Sequence, residues 1–126
     1  MASQILHHLQ IDKHELSILL TGDEDIHHIN VDYRGIDKPT DVIAFAMNEG
    51  VFSEINDNIL GDVVISLDTA KRQASERGVD VMDEVVFLLI HGILHLLGYD
   101  HEVNDRERRK MEDKERELLN QLGIYL

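Results

Sequence analysis

Residues 80 to 101 read DVMDEVVFLLIHGILHLLGYDH, and the fold follows from how this stretch is read. Asp80 can cap a helix that runs to about Leu97, and Gly98 stands where such a helix would stop. From Val85 to Leu97 the side chains are apolar on every side except for His91, His95 and Gly92. A helix that is apolar all round is a buried one. This one is short for a membrane span and carries Asp83, Glu84, His91 and His95, so the spacing predicts the central helix of a water-soluble core.

Working outward, Asp62 to Leu67 (DVVISL) and Asp41 to Ala46 (DVIAFA) are rich in β-formers and are separated by a polar loop containing Asn48, Gly50 and Asn56. Asp68 to Arg77 reads as a helix closed by Gly78. Upstream, Ala2 to Leu9 could form a short helix, and Glu15 to Leu20 alternates Leu16, Ile18 and Leu20 as a strand with one buried face should. Asp23 is the expected N-cap of a helix that places Ile26, Ile29 and Tyr33 on one side and ends at Gly35. Lys38 lies in the loop that follows, held extended by Pro39. Downstream, a helix from about Asn104 to Leu122 offers only the stripe Met111, Leu118 and Leu122 and should pack along one seam. The expectation is α+β: a single domain over residues 1–126, with a small mixed sheet packed by helices and an HxxxH metal site on the buried central helix.

The chain has 126 residues and no cysteine, which excludes disulfide scaffolds, thiolate metal sites and a cysteine nucleophile. Any bound metal must therefore sit on nitrogen and oxygen. No signal peptide or membrane span is visible, so a cytoplasmic location is expected. Acids outnumber bases 25 to 12, a net charge of −13, which disfavours loose binding to a polyanion. Six of the twelve basic residues fall between Arg106 and Arg116, interleaved with acids as on a self-paired helix face. Lys13, Arg34, Lys38, Lys71, Arg72 and Arg77 make up the rest. If the substrate is a nucleic acid, these residues must make a local patch against the overall field.

His91 and His95 are four residues apart, so on a helix they differ by ~40° and by ~6 Å along the axis. Two imidazoles so placed can reach one ion. If the helix continued, His101 would face ~240° away from His95. A left-handed Gly98 would instead reverse the chain and bring His101 back over the other two. Three neutral imidazoles and a water make an open site of the kind catalytic zinc uses, although copper and nickel also suit the donors. The spacing H-x-x-x-H-x-x-G-x-x-H matches that of long zinc-peptidase motifs. Those enzymes carry a glutamate as general base after the first histidine, where this chain has Gly92.

HGILHLLGYDH closely resembles the H-G-x-L-H-L-x-G-Y-D-H signature of the YbeY family of metal-dependent endoribonucleases. NVDYRGIDKPTDVIAF, from Asn30 to Phe45, resembles that family's Y-R-x-x-D-K-P-T-D-V-L-S-F segment, and GDVVIS, from Gly61, its G-D-I-x-I-S strand. Ala44 stands where the family usually has serine, and the chain opens at its first helix where relatives normally have a preceding strand. The resemblance implies a zinc-dependent, single-strand-specific nuclease that matures the 3′ end of small-subunit ribosomal RNA and serves ribosome quality control. It implies one zinc on His91, His95 and His101, with Arg34 as the arginine associated with activity and the small subunit or its assembly proteins as partners.

On chemical grounds Asp100, beside a ligand, could orient an imidazole, take up a proton or cap the turn. Lys38, Lys71, Arg72 and Arg77 are candidate RNA contacts. With no tryptophan and few aromatics, base stacking should be sparse. Two other readings compete: a metallopeptidase-like hydrolase, and a non-enzymatic ribosome-assembly factor with a structural metal.

Overall fold

Val63, Val64 and Ile65 are apolar at three successive positions, as a strand covered on both faces requires. The structure, a computed structural model, describes residues 2–11, 14–46 and 59–125. Lys13 and the polar loop with Asn48, Gly50 and Asn56 lie outside the described residues. The elements are α1 (Ala2–His8), β1 (Glu15–Thr21), α2 (Asp23–Arg34), β2 (Val42–Ala46), β3 (Ile59–Ser66), α3 (Leu67–Arg77), α4 (Val81–Leu96) and α5 (Asp105–Gln121). The strands form one mixed sheet in the order β1-β3-β2. β1 runs parallel to β3, with Ile18 beside Val63, and β2 runs antiparallel to it, with Ala44 beside Val63.

Central β3 sends Val63 and Ile65 into the main core, where they meet Ile5 of α1, Ala70 of α3, most of α4, and Met111 and Leu118 of α5. Val64 faces the other way, into a smaller cluster with Ile43 and α2's Ile26. The layers are thus α2, then the sheet, then the remaining helices around α4. That helix buries Val85, Val86, Leu88, Leu89, Ile90, Ile93, Leu94 and Leu96, as an all-round apolar segment must.

Gly92 sits where α4 crosses the sheet. A Cβ there would lie 2.8 Å from Val63 Cγ1 and 3.4 Å from Val42 Cγ2, so only glycine allows this approach. Among the described residues, no helix is long and apolar enough to cross a membrane.

Two expectations are corrected. The alternation in β1 does not mark a buried face: Ile18, Leu19 and Leu20 are 39%, 50% and 48% exposed. Among the described residues β1 is an edge strand of the sheet, and of the three alternating positions only Leu16 packs against the main core. Nor is Asp23 the cap of α2; Gly22 holds that position. Asp23 is instead the first helical residue and ties three elements together. Its Oδ1 accepts from Ser66 Oγ (2.6 Å) and Thr69 Oγ1 (2.7 Å), and its Oδ2 pairs with the Arg72 guanidinium (2.8 Å).

The two hydroxyls, aided by Arg72, hold the Asp23 carboxyl down to about 2, from an ordinary 3.8. A depressed carboxyl contributes stability that is present above its unfolded value and lost as pH falls through the folded one. Asp23→Asn should therefore cost about 1–2 kcal/mol at neutral pH, allowing for solvent screening, and the deficit should vanish between about pH 4 and pH 2. Urea unfolding across that range, wild type beside variant, checks it. A constant deficit down to pH 2 would refute the assignment.

On α5 three of the six clustered basic residues pair with acids of their own helix. Arg108 meets Asp105 (3.1 Å) and Glu112 (3.9 Å), Lys114 meets Glu117 (3.3 Å) and Arg116 meets Asp113 (3.8 Å).

Candidate metal centre

The reversal after α4 is built from backbone bonds. Gly98 takes a left-handed φ of 100°, which an L side chain resists. Its N–H donates to the His95 carbonyl (3.1 Å) and that of Tyr99 to the Leu94 carbonyl (3.0 Å). This double bond pattern ends the helix and turns the chain back. Asp100 then fastens the loop, its Oδ1 accepting from the Glu102 N–H (2.9 Å). In consequence the His101 ring returns to 5.1 Å from the His91 ring, edge to face.

A cavity of about 410 Å³ opens here, lined by His91, His95, Asp100, His101 and Glu102 from α4 and its turn, and by Arg34 and residues 40–44 from the facing wall. Four sequence-predicted side chains from three segments, His91 and His95 of α4, His101 of the following turn and Arg34 of α2, thus share one space with Asp100. Among the described residues, no three His, Asp or Glu side chains stand close enough together to hold an ion as they are placed. His101 Nε2 instead approaches Glu102 Oε1 at 4.0 Å. The donor set nevertheless suits zinc: three imidazole nitrogens on one cavity wall, with no thiolate in the chain.

His91 is the most deeply set of the three. Its Nδ1 lies 3.2 Å from Glu115 Oε1, a carboxylate of α5 that is only 6% exposed. Glu115 holds the imidazole above its ordinary value, burial opposes this, and the charge of Asp41 adds to it. Sequence reading missed Glu115, although it falls within the buried stripe of α5, four residues after Met111 and three before Leu118. Asp41 was likewise passed over as a strand end. Its Oδ1 accepts from the Val42 N–H (2.7 Å) and its Oδ2 from Gln73 Nε2 (3.2 Å), so it braces the cavity's facing wall against α3.

Arg34 ends α2 just before left-handed Gly35, and its side chain is exposed. Among the described residues no acid pairs with it. The other cations stand elsewhere: Lys38, Lys71, Arg72 and Arg77 are all absent from this cavity's lining. Lys38 and Lys71 are exposed, and the Lys38 carbonyl accepts from Asn30 Nδ2 (2.8 Å), which anchors its loop to α2. Arg72 is held by Asp23. Arg77 lies 3.6 Å from Glu84 and stacks on Phe87, 4.7 Å from the ring centre. Glu84 is fully buried within α4, and burial pushes its carboxyl up, with Arg77 opposing and Asp41 adding.

Residues 1–123 match the family model described as Endoribonuclease YbeY. The chain is 50% identical over 119 residues to the Endoribonuclease YbeY of Geobacter sulfurreducens, covering 94% of this chain and 79% of that relative. It is 49% identical over 122 residues to its namesake in Persephonella marina, covering 97% and 79%. Among solved structures, a solution structure of a Thermotoga maritima protein aligns over 97% of this chain and 79% of its own, with a TM-score of 0.60 and 28% identity.

Proposed function

The chain belongs to the YbeY endoribonuclease family, and from that premise we propose that it cuts single-stranded RNA in ribosomal RNA maturation, at the 3′ end of small-subunit RNA and in ribosome quality control, using zinc held by His91, His95 and His101. The observation that carries this reading is the shared cavity: Arg34 and the three imidazoles line it together. When bound, zinc would supply Lewis-acid polarisation of a phosphoryl oxygen and a more acidic water.

The protein's own groups do the rest. Arg34, exposed and without an acidic partner among the described residues, would grip the scissile phosphate through charge-assisted bonds and offset charge growing on its oxygens. His91, His95 and His101 bind only as neutral rings, so they must be deprotonated before the site can load. Asp100 secures the turn that carries His101. Lys38 and Lys71 would steer the strand outside the cavity, whereas Arg72 and Arg77 would have to leave Asp23 and Glu84 to do so. With a charge of −13 the chain meets a polyanion against its own field, which favours RNA presented by the small subunit or its assembly proteins in the cytoplasm.

The test uses nuclease-free protein with structured ribosomal RNA and, separately, with casein, each with and without chelator. RNA cut only in the presence of metal is the expected result. Cleavage of casein would favour a peptidase, and cleavage of neither would leave an assembly factor. A second substrate carrying one deoxynucleotide at the cut site distinguishes attack by water from attack by the RNA's own 2′-hydroxyl, since only the latter is abolished.

A further inference from the structure

Helix α5 packs along a seam of Met111, Leu118 and Leu119, and Glu115 lies inside that seam, 6% exposed. A buried carboxylate is costly unless a specific partner offsets the lost hydration, and leucine would serve the packing better. The other acids of α5 that make ion pairs do so in exposed positions on their own helix. Glu115 alone among them crosses to α4, where its Oε1 lies 3.2 Å from Nδ1 of His91. A carboxylate that accepts this bond requires the ring proton on Nδ1. Nε2 is then the nitrogen with the free lone pair, and the ring lines the cavity.

We propose that Glu115 is the positioning residue of the metal site: it fixes His91 in the Nδ1–H tautomer and in the orientation that offers Nε2 to the ion. The inference deepens the zinc reading above and rests on it. It also explains why one imidazole is anchored before metal arrives while His101 is not. His95 and His101 are both more exposed than His91. Outer carboxylates of this kind typically change metal affinity by ~10–100-fold.

Three variants test the assignment. Glu115→Leu completes the apolar seam, Glu115→Gln keeps an acceptor without the charge, and Glu112→Gln removes an exposed acid from the same helix. Zinc affinity is read by chelator competition, folding by thermal melting, and the His91 tautomer by ring nitrogen shifts in metal-free protein. Glu115→Leu should melt no lower than wild type yet bind zinc ~10–100-fold more weakly, with Glu115→Gln between and Glu112→Gln unchanged. Wild-type His91 should be Nδ1–H, and Glu115→Leu should show a mixture. Unchanged zinc affinity in a folded Glu115→Leu protein, or a wild-type His91 protonated on Nε2, would overturn the proposal. Wild-type protein that takes up no zinc would sink the metal reading itself, and the ring shifts would still judge the role of Glu115 in orienting His91.

Discussion

Arg34→Ala protein is expected to take up its full equivalent of zinc and to cut RNA ~10²–10³-fold more slowly than wild type, whereas His95→Ala should lose both metal and cutting. The separation follows from where the two side chains stand. Arg34 is on the far wall of the cavity, at the exposed end of α2, and among the described residues it has no acid to leave behind when it is removed. Its loss should therefore cost neither stability nor metal. What disappears is a cation beside the oxygens where charge would grow, and that kind of interaction acts on the transition state. Arg34→Lys should restore little, because a single ammonium cannot form the paired bonds of a guanidinium. His95 is one of three donors, and two imidazoles hold an ion far less well than three. Single-turnover cleavage of an end-labelled RNA, alongside metal content by mass spectrometry, reads both effects. Normal cutting by Arg34→Ala would remove the arginine from the mechanism.

The parts of this protein visible in its sequence are those written in local physics. An apolar run with a glycine after it could only be a buried helix with a hard stop, and α4 is that helix, closed by left-handed Gly98. The same glycine made the return of His101 readable before any coordinates, and the two rings do meet. The losses lie where a residue's meaning depends on a partner remote in the chain. Asp23 looked like a cap because capping is a local habit of aspartate. Its actual partners, Ser66 and Thr69, are more than forty residues on. Glu115 hid among the acids of a highly charged helix, and only its phase relative to Met111 and Leu118 set it apart. The alternation of Leu16, Ile18 and Leu20 was real, but edge position in a sheet is a property of topology, which a strand's own residues do not encode.

Gly92 carries the second large effect, and it bears on which chemistry this helix can host. In the peptidase arrangement the position after the first histidine bears the catalytic glutamate. Here a Cβ at that position points at the sheet, 2.8 Å and 3.2 Å from the two γ-methyls of Val63 and 3.4 Å from Val42. Val63 is fully buried and β-branched, so its methyls cannot swing aside. Gly92→Ala gains ~1 kcal/mol in helix propensity but must push α4 off β3, and overpacking of this sort costs ~1–3 kcal/mol, so a net loss of up to about 2 kcal/mol is expected. Gly92→Glu adds a buried, unpaired carboxylate to that clash and should leave no folded protein at 25 °C. Val63→Ala opens the space: combined with Gly92→Ala it should be more stable than the sum of the two single losses allows, by ~1 kcal/mol or more. Urea unfolding of the four proteins measures that coupling. A Gly92→Ala protein more stable than wild type would show that the helix does not press on the sheet as described. If the coupling is found, the missing glutamate becomes a consequence of packing: α4 lies too close to β3 for a general base at position 92, and the acid–base work of the reaction must come from another group at the cavity or from the RNA itself.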